Sequence, residues 1–334
     1  MDPYKHSDFI PFFRNSHLST LASYFWKRPV SEEEYPLVRR LYRTEPDVQV
    51  AVDEQTPPVP PVGRVVMIHG LEGSSLSGYL QSLSHELISA GYATHRFNMR
   101  SCGGSEHLAS TNYHAGQTSD VLEVLRQIRK EWDGPLFLAG FSLGGNVSLK
   151  LAGELGNDAV GLLDGVCAIS TPIDLTACSD SLEAPQNFIY EDRFLKYLKA
   201  RIERRHAQYP DVYDIRPLAG VRTVRQFDEA YTSKLFGFGT AANYFATQSS
   251  NQFLEGIRIP ALLIQAKDDP LIPFRVYDHP AIAGNPHIRL IATDHGGHVG
   301  FIARSQPRFW VDPVIRAWME LVRNKRAGST VLLP

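Results

Sequence analysis

From residue 64 onward the chain switches between two textures. Short β-branched or apolar runs at 64–68, 136–139, 165–170 and 261–266 show little of the polar alternation of a half-solvated strand, and 92–98 and 287–292 read as further strands beside them. Such runs suit strands of a parallel sheet that is covered on both faces. Between them lie stretches with apolar residues three and four apart. One is 76–90, with Leu80, Leu83, Leu87 and Ile88, which stops at Gly91; another is 118–132, with Val121, Leu122, Leu125 and Ile128. Further helices are predicted at 145–155 and 307–323. Strand and helix in alternation predict an α/β fold, a mostly parallel sheet flanked by helices.

The alternation pauses over residues 172–256, which contain amphipathic stretches and loops but no convincing buried strand. The clearest helix there is 188–206, with Phe194, Leu195, Leu198 and Ile202 opposite Lys196, Lys199, Arg201 and Arg205. Its basic side is expected to be a solvated face. The expected organisation is therefore one α/β core from 1–171 and 257–334, interrupted by a helical cap at 172–256. Ligands of such folds bind above the C-terminal strand ends, beneath insertions of this kind. Ahead of the first strand, residues 1–35 carry Phe9, Phe12, Phe13, Tyr24, Phe25 and Trp26. Packing against the chain's own core is the expectation for this segment, with peripheral contact at a membrane surface as the competing reading. The prolines of 56–62 enforce an extended loop between strands.

Composition narrows the function without identifying it. Among 334 residues, 34 Lys and Arg against 36 Asp and Glu leave a formal charge of -2, which argues against nucleic acid as a partner. Cys102, Cys167 and Cys178 are too few and too scattered for a disulfide framework or a zinc ribbon, so buried free thiols are expected. The opening Met1-Asp2-Pro3-Tyr4-Lys5-His6 lacks the apolar stretch of a secretory signal, and no apolar run reaches membrane-spanning length. A cytoplasmic protein is the expectation.

The chemistry is written at the ends of the strands. Gly140-Phe141-Ser142-Leu143-Gly144 matches G-x-S-x-G and stands directly after one predicted strand and directly before a helix. In that context the glycines permit a sharp turn that presents a serine oxygen above the sheet, with a helix N-terminus beneath it. Serine is a weak nucleophile at neutral pH and needs a base oriented by a third group. Strand 261–266 leads into Lys267-Asp268-Asp269-Pro270, and strand 287–292 into Thr293-Asp294-His295-Gly296-Gly297-His298. These loops supply an acid and a base in the order this fold requires. Asp269 is the favoured acid because Pro270 holds it extended; Asp268 is expected to cap the turn or face solvent. His298 is the favoured base because Gly296-Gly297 offers a mobile loop to aim it. A metal on His295 and His298 lacks further ligands in the sequence nearby. For the oxyanion, the backbone N–H groups of Leu143 and Leu71 are the expected donors, the latter in His69-Gly70-Leu71-Glu72-Gly73.

Taken together, these segments resemble the α/β-hydrolase fold, and within it the bacterial YheT and plant EMB8-like branch, also called AB hydrolase family 4. The resemblance is carried by Asn15-Ser16-His17-Leu18-Ser19-Thr20, 69–75, Arg100-Ser101-Cys102-Gly103-Gly104-Ser105, 140–146, Asp268-Asp269-Pro270 and 295–301. It implies Ser142, Asp269 and His298 as a charge-relay triad, no cofactor, and carboxylesterase or acylglycerol/phospholipid lipase activity on a small ester or lipid. Ser101 stands where relatives usually carry glycine, which is expected to reshape the pocket rim. Acyl transfer to an alcohol through the same acyl-enzyme is the enzymatic alternative, and a non-catalytic binding protein the other.

Overall fold

The predicted strands assemble into one eight-stranded sheet of order β1-β2-β4-β3-β5-β6-β7-β8 in the computed structural model, which describes residues 9–326. Residues 1–8, including the stretch read above for a leader, and 327–334 lie outside them, and with them the outer ends of the expected core segments. The strands are β1 Val38–Glu45, β2 Val48–Gln55, β3 Arg64–Ile68, β4 Ala93–Phe97, β5 Leu136–Phe141, β6 Gly165–Ile169, β7 Ala261–Ala266 and β8 Ile288–Thr293. From β4 to β8 every pairing is parallel.

The β1–β2 hairpin, which turns at Pro46-Asp47 and pairs antiparallel with β4, went unassigned from sequence. β1 is an edge strand in which only Tyr42 is buried, so its Val-Arg-Arg-Leu-Tyr-Arg pattern carries no run of buried residues to detect.

Side chains alternate across the sheet, and each face has its own cover. Val66, Ile68, Leu136 and Leu138 pack with Val121, Val124 and Leu125 of α3 (Ser119–Glu131) and with Val147 and Leu151 of α4 (Leu143–Leu155). On the other face, Val65, Met67, Phe137 and Ala139 pack with Leu80, Leu83 and Leu87 of α2 (Gly78–Ser89) and with Trp318 of the last helix, Val311–Arg326. The three cysteines are buried thiols. Among the described residues, no helix is long and apolar enough to cross a membrane.

Between β6 and β7 the described backbone is helical or irregular, including α5 (Leu175–Leu182), α6 (Phe188–Gln208) and the helix Ala241–Gln248. Its last turns, Ser250–Gly256, return to α4, where the Asn146 side chain donates to Gln248 O and accepts from Ser250 N. At the N-terminus, α1 (Ser16–Phe25) begins at Asn15, whose side chain accepts from Leu18 N. The segment before α1 pairs with the core, Phe12 N donating to Ile302 O and Arg304 N to Ile10 O. Phe12 and Phe13 gather around Trp26, whereas Tyr24 and Phe25 stay exposed.

Candidate active site

Ser142 occupies the single residue between β5 and α4, at φ +52 and ψ -122. A side chain with a Cβ is strained there by about 1–3 kcal/mol, so the surroundings must hold it. Ser142 N donates to Ile169 O at 2.8 Å, which ties the turn to β6. The flanking glycines are required by contact. A Cβ on Gly140 would lie 2.2 Å from Gly144 O, and one on Gly144 would lie 2.5 Å from Ile68 O. Helix α4 can spring from the sheet at this angle only where the crossing backbones touch.

The loops after β7 and β8 converge on Ser142. His298 Nε2 lies 3.0 Å from Ser142 Oγ, and His298 Nδ1 lies 2.9 Å from Asp269 Oδ2. An ionised carboxylate can only accept, so Nδ1 carries the proton and Nε2 faces the serine as acceptor. Asp269 is itself immobilised. Its Oδ2 also accepts from Gln265 Nε2 at 3.1 Å, and its Oδ1 accepts from Leu271 N and Ile272 N at 2.9 and 3.1 Å. The residue that meets the His298 ring thus also caps its own turn.

Asp268 departs from the expected part. It neither caps the turn nor faces solvent: Oδ1 accepts from Gly297 N at 2.9 Å, and Oδ2 lies 3.2 Å from His295 Nδ1. Both aspartates reach across to the loop after β8, Asp268 to the Gly297 backbone and the His295 ring, Asp269 to the His298 ring. Nor is Gly296-Gly297 there for mobility. A Cβ on Gly297 would lie 2.6 Å from Ser16 O, because α1 packs directly on this loop. Ser19 Oγ donates to Gly296 O at 2.8 Å, and His298 N donates to Thr20 Oγ1 at 2.9 Å. Sequence reasoning missed this support, although the Asn15–Thr20 motif was its signal.

The two expected oxyanion donors belong to residues that line the serine's cavity. Leu143 opens α4, where the first amides have no intrahelical partner. In the loop after β3, Gly70 N donates to Tyr79 OH, Glu72 N to Tyr113 OH and Gly73 N to Gly70 O. Leu71 N is the amide left over, and Leu71 and Leu143 line the same cavity as Ser142 and His298. His69 braces this loop, its Nδ1 2.7 Å from Gly70 O and its Nε2 accepting from Met99 N. Burial pushes its pKa down to about 4, so the ring stays neutral. Among the described residues, no group of three His, Cys, Asp or Glu side chains could hold a metal ion.

The rest of the cavity comes mainly from the insertion, with Phe194, Leu198, Ile202, Phe227, Phe236 and Phe245 on its walls. The basic side of the 188–206 helix is not a uniformly solvated face. Arg201 and Arg205 are 4% and 0% exposed, and Arg205 Nη2 donates to Ala109 O. Arginines four apart project together, so the side that carries them docks on the core while Lys196 stays outside. Ser101 stands at φ +58 with its Oγ on Asn112 Oδ1, and Asn112 lines the cavity. Asp228 also opens onto the cavity, from the first residue of a π-helical turn. Burial raises its pKa to about 7, against the opposing pull of a hydrogen bond from Thr232 and the charge of Arg225.

The alpha/beta hydrolase fold family is matched by residues 63–305. YheT of Escherichia coli (strain K12), named as an esterase, is 33% identical over 321 residues, 94% of this chain and 93% of that protein. Phospholipase ABHD3 of Mus musculus is 28% identical over 80% of this chain and 65% of its own length. Among solved structures, the Pyrococcus furiosus esterase Pf2001 superposes with a TM-score of 0.56 at 18% identity, over 87% of this chain and 98% of that one.

Two outcomes follow from the geometry. Asp269→Asn leaves the imidazole without its anionic acceptor and should lower kcat about 10⁴-fold while the protein stays folded. Asp268→Asn keeps an oxygen for Gly297 N and should stay within about tenfold of the parent; steady-state kinetics on one ester, with circular dichroism as a folding control, separates them. Asp228, ionised near 3.8 when unfolded but neutral to about pH 7 when folded, makes the folded state hold an extra proton in between. Stability from this group is therefore lost as pH rises through that window. Asp228→Asn should raise Tm by a few degrees at pH 8 and by less at pH 5, measured by thermal unfolding. An equal gain at both would contradict the buried-acid assignment.

Proposed function

The chain belongs to the α/β-hydrolase fold family, on the branch of E. coli YheT, and from this we propose that it cleaves carboxylic esters through an acyl-enzyme on Ser142. The observation that supports this most directly is the continuous chain of hydrogen bonds Asp269–His298–Ser142, which opens into a cavity lined by Leu71 and Leu143. His298 Nε2 takes the serine proton as Oγ attacks the ester carbonyl, and Asp269 stabilises the imidazolium through Nδ1–H. Leu71 and Leu143 donate to the oxyanion, a contribution of about 3–4 kcal/mol for one pre-aimed donor by precedent. The imidazolium then protonates the leaving alcohol. Water, deprotonated by the same His298, hydrolyses the acyl-enzyme and regenerates the serine. Every proton in this cycle moves through His298, so no cofactor is called for.

The apolar walls favour a substrate with a hydrocarbon acyl chain, in keeping with the phospholipase among the relatives. In this reading residues 172–256 act as a cap over a core of 1–171 and 257–334. Their aromatic side chains give the acyl chain its surroundings, while Ser250–Gly256 anchor the cap's exit to α4.

A fluorophosphonate probe should label the protein at Ser142 alone, with labelling abolished in Ser142→Ala. A p-nitrophenyl ester series should show kcat/KM rising with acyl length before it levels off, since each buried methylene adds about 0.8 kcal/mol until the cavity is filled. Labelling that survives in Ser142→Ala would transfer the nucleophile elsewhere.

A further inference from the structure

Arg201 is a buried cation that the reaction steps above do not use, yet it touches the loop that supplies Leu71. It projects from α6, and its Nη2 lies 2.7 Å from Glu72 Oε1 and 3.1 Å from Cys102 Sγ. Its guanidinium carbon stands 4.4 Å from the centre of the Tyr113 ring. The side chains of Arg201 and Glu72 are 5% and 6% exposed, so water does little to screen the pair.

Glu72 follows Leu71 directly and stands at φ +56, a conformation that costs little only for glycine. What holds it is a ring of side chains. Glu72 N donates to Tyr113 OH at 2.9 Å, Tyr113 OH donates to Glu72 Oε1 at 3.2 Å, and Arg201 closes the ring from the insertion. On the other side of Leu71, Gly70 N is fixed on Tyr79 OH at 2.9 Å. Leu71 N–H therefore lies between two pinned amides, and one of the pins belongs partly to α6.

We propose that Arg201 is a positioning residue for ester cleavage: by pairing with Glu72 it makes the seating of α6 and the alignment of Leu71 N–H one event, so the oxyanion site is complete only when the cap is docked. The proposal rests on the esterase reading. The other use of a cation beside the nucleophile, pairing with an anionic substrate, is disfavoured because Glu72 already neutralises it.

The test uses Arg201→Met, Glu72→Gln and the double variant in the full chain. The double variant leaves no unpaired buried charge, so it reports even if a single variant folds poorly. With p-nitrophenyl butyrate, each variant should lose about 10- to 100-fold in kcat with KM within about threefold, the pattern of an interaction realised in the transition state. Affinity for an alkyl trifluoromethyl ketone, which forms a tetrahedral oxyanion adduct, should fall in step with kcat/KM. The double variant should be no worse than the poorer single one, since both remove the same contact. Amide exchange over residues 70–75 should accelerate in the double variant while β3 and α4 keep their protection. A raised KM with unchanged kcat would make Arg201 a substrate ligand and overturn the proposal, as would multiplicative losses or unaltered exchange over 70–75. If the parent protein neither cleaves esters nor is labelled at Ser142, the esterase reading fails separately, and the exchange result still decides whether Arg201 anchors the loop.

Discussion

Backbone contact at the serine turn is the constraint from which the rest of the site follows. The chain must leave β5 and enter α4 within one residue, close enough that Gly144 meets the carbonyl of Ile68 on β3 and that Gly140 meets the carbonyl of Gly144. No side chain fits in that crossing, and Ser142 is left with positive φ. The strain is offset by sheet packing, because β3, β5 and β6 are buried at the centre of the sheet and cannot shift apart. One consequence is chemical. With its backbone fixed, the serine carries its oxygen to a predetermined point above the strand ends, where loops from three other strands can be built around it.

Those loops are restrained from different directions. The loop after β8, which carries His298, is held below by Asp268 and Asp269 and outside by Ser19 and Thr20 of α1. The loop after β3 is held by His69 and Tyr79 from the core, and by Arg201 from the insertion. Preorganisation of this kind matters because groups aimed in advance need no reorganisation as charge develops. It also explains the buried polar groups around an otherwise apolar cavity. Removing one partner of a buried ion pair typically costs about 3–5 kcal/mol, so such pairs persist where both members stay matched.

Asp228 is the counterexample. Its carboxyl opens onto the cavity with Thr232 as its hydrogen-bond donor, and burial raises its pKa to about 7. Stability alone would favour an apolar residue at this position. The same turn is π-helical, an irregularity that commonly sits at functional sites.

The strand runs, the flanking helices and the loops that bring Ser142, Asp269 and His298 together were legible in the sequence, because each depends on local pattern: continuous burial for central strands, a 3.6-residue period for helices, and a turn only glycine permits. The edge hairpin β1–β2 was not legible: β1 faces solvent and leaves no hydrophobic signature, and β2, though largely buried, mixes its valines with Gln49, Asp53, Glu54 and Gln55. The favoured choice between Asp268 and Asp269 came from the local turn, through Pro270 and Pro273, and the part played by Asp268 was misjudged. The direction of a side chain across a loop depends on the loop it faces, which lies about 30 residues away. The same holds for Gly296-Gly297, whose purpose is the close approach of α1, and for Arg201, whose charge resembled that of a solvated helix face. Local sequence determines which elements form and which chemistry they can carry. Which charges are buried, and what each one holds in place, is decided only when distant segments pack, because burial and partnership belong to the space between elements.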